Sequence, residues 1–148
     1  MIIPEYSQSE PETMMMTATT PSSREHCPMS IILIIEDEAN IRQFVTVNLE
    51  ARGYTIVQAS SAEEGLQKMR YEKPEAAILD IKLPMMNGWD MLKVVAADPT
   101  LPNIPVIILT SFLSTRNLDE QGYPNIRELL SKPISANDLV KAVKKVIG

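Results

Sequence analysis

Four short apolar runs in this 148-residue chain end on polar groups that could do chemistry together. "IILII" (31–35) leads into Glu36-Asp37-Glu38, and "EAAILD" (75–80) closes on Asp80. "IPVIILT" (104–110) closes on Thr110 with Ser111 behind it, and "NIRELLS" (125–131) leads into Lys132-Pro133. If these ends meet, two or three carboxylates repel one another, and without a cation at least one carboxyl pKa should rise. A hard divalent ion relieves the repulsion. Mg²⁺ suits an all-oxygen site that keeps several waters, and no His or Cys competes for a softer metal. Asp80 would then be both ligand and nucleophile, taking a phosphoryl group as an acyl phosphate. A lysine and a hydroxyl are the groups that would neutralise the phosphoryl oxygens, and Lys132 and Thr110 match those needs.

Taken singly, each residue has a plainer reading. Chains surface after strands, so Glu38 reads as a solvated, helix-starting residue, Asp37 or Thr110 as a cap, and Lys132 as a loop residue. Four successive strand ends with complementary chemistry are harder to dismiss. The site lies in the combination.

The elements that must position these groups emerge from the pattern. The β-branched run 31–35 reads as a strand buried on both faces. Residues 39–51 carry Ile41, Phe44, Val45, Leu49 and Ala51 at helical spacing, with Val47 less well placed, and Gly53 supplies the stop. A second strand is expected at 54–59. A helix comes next, with Ser61 as N-cap and Glu64 completing a capping box. A third strand at 75–80 precedes a helix at 88–97 that turns Trp89, Leu92, Val95 and Ala96 inward. A fourth strand spans 104–110, residues 112–124 are weakly patterned, and a fifth strand spans 125–131. The last helix, 136–147, sets Leu139, Val140, Val143, Val146 and Ile147 against lysines. Five strands alternating with helices predict a doubly wound parallel sheet with helices on both faces and right-handed crossovers. In such sheets the working site lies outside the carboxyl ends of the strands.

Bulk properties bound the rest. The length fits one domain. With 14 basic and 19 acidic residues the net charge is −5, which argues against a nucleic-acid surface. The basic cluster Lys141, Lys144 and Lys145 reads as the solvated, positive end of the last helix. One cysteine, Cys27, excludes an internal disulfide and fits a reducing compartment. No apolar run approaches the ~18 residues of a membrane span, and the N-terminus lacks the pattern of a signal peptide, so a cytoplasmic protein is expected. Residues 1–29, rich in Pro, Ser, Thr, Glu and Met, read as a disordered tail or an upstream extension, since Met29 offers a natural start before the first strand. Residues 30–148 form the expected domain.

Together "LIIEDE", "ILDIKLPMMNG", "VIILTS" and "LLSKP" resemble the receiver (response-regulator) domain of two-component signalling, similar to single-domain chemotaxis and sporulation regulators. The resemblance covers residues 31–147, with 30 residues from Asp80 to Thr110 and 22 from there to Lys132. It implies a flavodoxin-like sheet of order 2-1-3-4-5. It also implies that Asp80 accepts a phosphoryl group from a phosphohistidine on a sensor histidine kinase or histidine phosphotransfer protein. Glu36 and Asp37 would hold Mg²⁺ with Asp80 and the backbone carbonyl of Lys82, and Thr110 and Lys132 would bind the phosphoryl oxygens. The family often has a cis peptide where Pro133 succeeds Lys132.

Three features depart from that pattern. The family's switch includes an aromatic three residues before the lysine, where this chain has Leu129. The fourth helix of the family is replaced by "FLSTRNLDEQGYPN", in which Gly122 and Pro124 predict a short or labile helix that could serve as a mobile output element. Phe112 and Lys82 would flank the path of attacking water, so Phe112 is expected to prolong the phosphorylated form and Lys82 to steer anionic donors. Because the chain ends at residue 148, the expected output is contact with a downstream protein or onward phosphotransfer, the contact running through the segment 112–124, the last strand and the last helix. Tyr123, Ile126 and Leu129 are the apolar candidates there. No direct nucleic-acid contact and no membrane insertion are expected. The alternative is a constitutive pseudo-receiver module that is not phosphorylated. A metal-dependent phosphatase of related topology is set aside, since it would want an aspartate where Lys82 stands.

Overall fold

The computed structural model of the protein describes residues 30–101, 103–111 and 123–147. The N-terminal segment 1–29 and the stretch 112–122, with the expectations attached to Phe112, Gly122 and a short fourth helix, lie outside the described residues.

In chain order the described elements are β1 (Ile31–Ile35), α1 (Ala39–Glu50), β2 (Thr55–Ala59), α2 (Ala62–Glu72), β3 (Ala76–Asp80), α3 (Gly88–Ala97), β4 (Val106–Thr110), β5 (Ile126–Ser131) and α4 (Ala136–Ile147). The five strands form one parallel sheet in the order β2-β1-β3-β4-β5, as expected. Every residue of β3 and β4 is buried, as strands covered on both faces require. Period-two alternation divides the core. Leu33, Ile35, Leu79 and Ile108 pack with Met69, Met91 and Leu92 of α2 and α3. Ile32, Ile34, Ile78, Ile107 and Leu109 pack with Val45 and Leu49 of α1 and Leu139 and Val143 of α4. Among the described residues no helix is long and apolar enough to cross a membrane.

Several local expectations need correction. In α1, Phe44 and Val47 face outward at 37% and 53% exposure, and Ala51 is the exposed residue that ends the helix. Thr46 is buried in their place, its hydroxyl accepting a 3.0 Å hydrogen bond from the Gln58 side chain. That bond meets the cost of burying the hydroxyl. In α3, Ala96 is exposed while Met91 is buried. The hydroxyl of Ser61 caps α2 by accepting from the Glu64 amide at 3.1 Å, yet the Glu64 carboxylate returns to the Ser60 amide at 2.8 Å, one residue earlier than a capping box requires. The full box stands on α3, where Asn87 and Asp90 satisfy each other's amides at 2.9 and 3.3 Å. Gly53, at φ +92°, ends α1 in the left-handed region that glycine adopts without penalty.

Tyr123, Ile126 and Leu129 are half-buried against the α2–α3 side of the core, so they are less available for contact than expected. Tyr123 stacks on Trp89, with ring centroids 6.1 Å apart. The outer surface of β5 and α4 instead carries a cavity of about 630 Å³ floored by Leu130 and Ala142 and edged by Glu128, Lys141 and Lys145.

Candidate functional site

Strand register brings the candidate residues to one edge of the sheet. Ile35 pairs with Leu79, so Glu36 and Asp80, the next residues, stand side by side. Asp80 pairs with Leu109 and Thr110 pairs with Ser131, which delivers Thr110 and then Lys132 to the same edge. The Lys132 amide donates to the Thr110 carbonyl at 2.9 Å, and the Lys132–Pro133 peptide is cis.

The loop after Asp80 turns at once. The Lys82 amide donates to Asp80 Oδ1 at 3.0 Å, Leu83 buries its side chain, and the Gly88 amide returns to the Ile81 carbonyl at 2.9 Å. A side chain at Gly88 would come within 2.8 Å of both the Asp80 carbonyl oxygen and the Ile81 Cα, so only glycine permits so close a return. Met85, at φ +67°, forms the tip of the turn and is 94% exposed.

Lys132 is the electrostatic centre. Its ammonium lies 3.1 Å from Asp80 Oδ2 and 3.0 Å from Glu36 Oε1. The approach to Glu36 is an ion pair by distance, and among the described residues Oε1 has no aligned hydrogen-bond donor. Glu36 is fully buried and Asp80 retains 2% of its surface, whereas Asp37 is exposed. The Asp80 carboxylate is thus more enclosed than a strand end suggests. Burial pushes the Glu36 carboxyl up to about 7, with the nearby Asp80 charge adding to the rise and Lys132 and the Glu38 amide opposing it. Burial also works against the charge on Lys132, but the two carboxylates outweigh it and hold the ammonium pKa above its ordinary value.

Carboxylate oxygens of Glu36, Asp37 and Asp80 lie within 4.8 Å of one another. An all-oxygen set with an incompletely satisfied buried oxygen fits a hard divalent cation. Glu38 stays outside the cluster. It is exposed at the start of α1 and its side chain caps nothing.

Two further residues, Arg42 and Gln58, stand next to the cluster and escaped the sequence reading. Arg42 donates to the Glu36 main-chain carbonyl at 2.7 Å and to the Gln58 side-chain oxygen at 3.3 Å. One signal was present: a cation in the first turn of a helix opposes the helix dipole and needs a local partner.

The response regulator receiver domain family matches residues 32–144. The chain is 28% identical over 121 residues to the polar-differentiation response regulator DivK of Brucella anthropi, covering 82% of this chain and 98% of DivK. It is 29% identical over 120 residues to protein PilH of Pseudomonas aeruginosa, covering 81% and 99% respectively. In structure it is similar to the chemotaxis response regulator CheY4 of Vibrio cholerae, with a TM-score of 0.72 at 27% identity over 80% of this chain and 98% of that one.

Proposed function

This chain belongs to the response regulator receiver domain family, and we propose that it is a phosphorylation switch in which Asp80 is the acceptor. One observation carries the reading. Residues from three strand ends, Glu36, Asp80 and Lys132, converge in a buried charge cluster with Asp37 at its mouth.

In the proposed reaction the donor is a phosphohistidine on a sensor kinase or phosphotransfer protein. A carboxylate oxygen of Asp80 attacks phosphorus, the P–N bond breaks as the O–P bond forms, and the departing imidazole takes a proton from solvent. Mg²⁺, when bound, would neutralise charge on the phosphoryl oxygens. Glu36, Asp37, Asp80 and the Lys82 carbonyl would hold it. The Lys132 ammonium, already on Asp80 Oδ2, would pass to a phosphoryl oxygen, and the Thr110 hydroxyl would bind another. Enclosure of Asp80 keeps bulk water from the acyl phosphate.

The signal would leave by contact with a downstream protein. Of the face expected for this, β5 and α4 are among the described residues, and Leu129 fills the place of the family's aromatic with an aliphatic side chain packed on the core. The domain would span residues 30–148 and act in the cytoplasm.

The test is incubation with Mg²⁺ and acetyl phosphate, then intact-mass measurement. A gain of one phosphoryl group, abolished in Asp80→Asn, is expected. No gain in the wild type would overturn the reading in favour of a constitutive module.

A further inference from the structure

Asp37 is exposed, so packing does not place its carboxylate and the backbone must. The peptide planes on both sides of Glu36 are anchored by groups that belong to neither the acidic cluster nor the Lys132 ion pair. On the N-terminal side the Glu36 amide donates to the Ala59 carbonyl of β2 at 3.0 Å. On the C-terminal side the Glu36 carbonyl, part of the peptide that carries Asp37, accepts the Arg42 guanidinium at 2.7 Å.

Arg42 is itself fixed. Its second donor meets the side-chain oxygen of Gln58, whose amide nitrogen donates in turn to the buried Thr46 hydroxyl at 3.0 Å. The Gln58 carbonyl accepts from Lys68, and Lys68 pairs with Glu64 of α2 at 3.1 Å. A polar chain therefore runs from α2 through β2 and α1 to the single peptide between Glu36 and Asp37. Planar, forked donors suit this task because one guanidinium spans two acceptors at a fixed angle, which a lysine ammonium does not.

We propose that Arg42 is a positioning residue for the acidic pair Glu36-Asp37, acting through the Glu36 carbonyl with Gln58 holding its guanidinium. The inference rests on the reading of Glu36, Asp37 and Asp80 as a Mg²⁺ site, and the sign of its effect separates it from plain electrostatics. A positive side chain beside a cation site repels the cation, so on charge alone Arg42→Ala should tighten Mg²⁺ binding. Loss of positioning should loosen it, by roughly tenfold or more if it acts like other outer groups that orient ligands.

The experiment is titration calorimetry of MgCl₂ into the full chain at constant ionic strength, with thermal melts of each variant in EDTA. Arg42→Ala and Arg42→Lys should both weaken binding roughly tenfold. The lysine variant keeps the charge and loses only the fork. Gln58→Met, which frees the guanidinium without removing it, should weaken binding less. Asp37→Asn serves as the control for the metal site itself. If the wild type binds Mg²⁺ and both Arg42 variants bind as well or better, the positioning role is overturned while the metal reading stands. If the wild type fails to bind Mg²⁺, both fall together. Should Arg42→Ala not fold, Arg42→Lys and Gln58→Met decide the matter by the same criterion.

Discussion

The Lys132 ammonium holds Oδ2 of Asp80 at 3.1 Å while the Lys82 amide holds Oδ1 at 3.0 Å, so both oxygens of the Asp80 carboxylate are engaged. Lys132 also pairs with Glu36, so among the described residues a single ammonium pairs with two buried carboxylates. Breaking a buried pair by removing one partner costs about 3–5 kcal/mol, and the slight exposure of Lys132 places this case near the lower figure. Lys132→Met should therefore lower the melting temperature markedly in EDTA. If the cluster holds Mg²⁺ as proposed, the deficit should narrow with the ion present, because the ion would take over the neutralisation. Melts showing the same deficit in both buffers would sink this account.

The buried Glu36 carboxyl predicts a pH dependence with a definite sign. Its folded pKa, about 7, lies above the ordinary 4.5, so the native state holds more protons than the unfolded state between those values. The corresponding stability is fully present below about 4.5 and is lost as pH rises through 7. Urea unfolding of the metal-free protein should accordingly show stability falling across that window, and Glu36→Gln should flatten the profile. Mg²⁺ binding near neutral pH should release protons, measurable by calorimetry in buffers of different ionisation enthalpy.

Gly88→Ala should destabilise the protein by about 1–3 kcal/mol, as overpacking against atoms that cannot move aside usually does. The new methyl group meets backbone atoms of Asp80 and Ile81, not the end of a flexible side chain. Urea titration should show a lower midpoint at unchanged slope. A midpoint equal to that of the wild type would mean that the loop after Asp80 relaxes freely.

Lys82 is exposed beside the acceptor, and on the proposed function its charge steers anionic donors. Lys82→Glu should slow phosphorylation by acetyl phosphate several-fold at low salt, with the difference shrinking as salt is raised. Rates that respond equally to salt in both proteins would remove the steering role.

Much of the fold and of the site was legible because both depend on the residues at the C-terminal end of each apolar run. Buried parallel strands announce themselves as β-branched blocks, and their carboxyl ends are neighbours whatever the loops do. Glu36, Asp80, Thr110 and Lys132 could thus be grouped before any coordinates. Details governed by pairing across elements were not legible. Thr46 replaces Val47 inside α1 because Gln58 of β2 reaches it, and neither residue reveals that in one dimension. The Glu64 carboxylate could reach Ser60 or Ser61, and helix-cap spacing alone does not choose between them. Arg42 was overlooked for the same reason: its acceptors are the Glu36 main-chain oxygen and the side chain of Gln58 on β2.

Asp80 and its counter-ion Lys132 are 52 positions apart in the chain, with the whole of β4 and β5 between them. During synthesis the carboxylate therefore emerges well before the ammonium that balances it. A chain cut short of residue 132 would leave Glu36 and Asp80 facing each other without that ammonium, so truncated products carry their own internal repulsion. Among the described residues the ammonium that pairs with these two carboxylates arrives only after the last strand is laid down, so completing the domain contributes to its stability as well as to its chemistry.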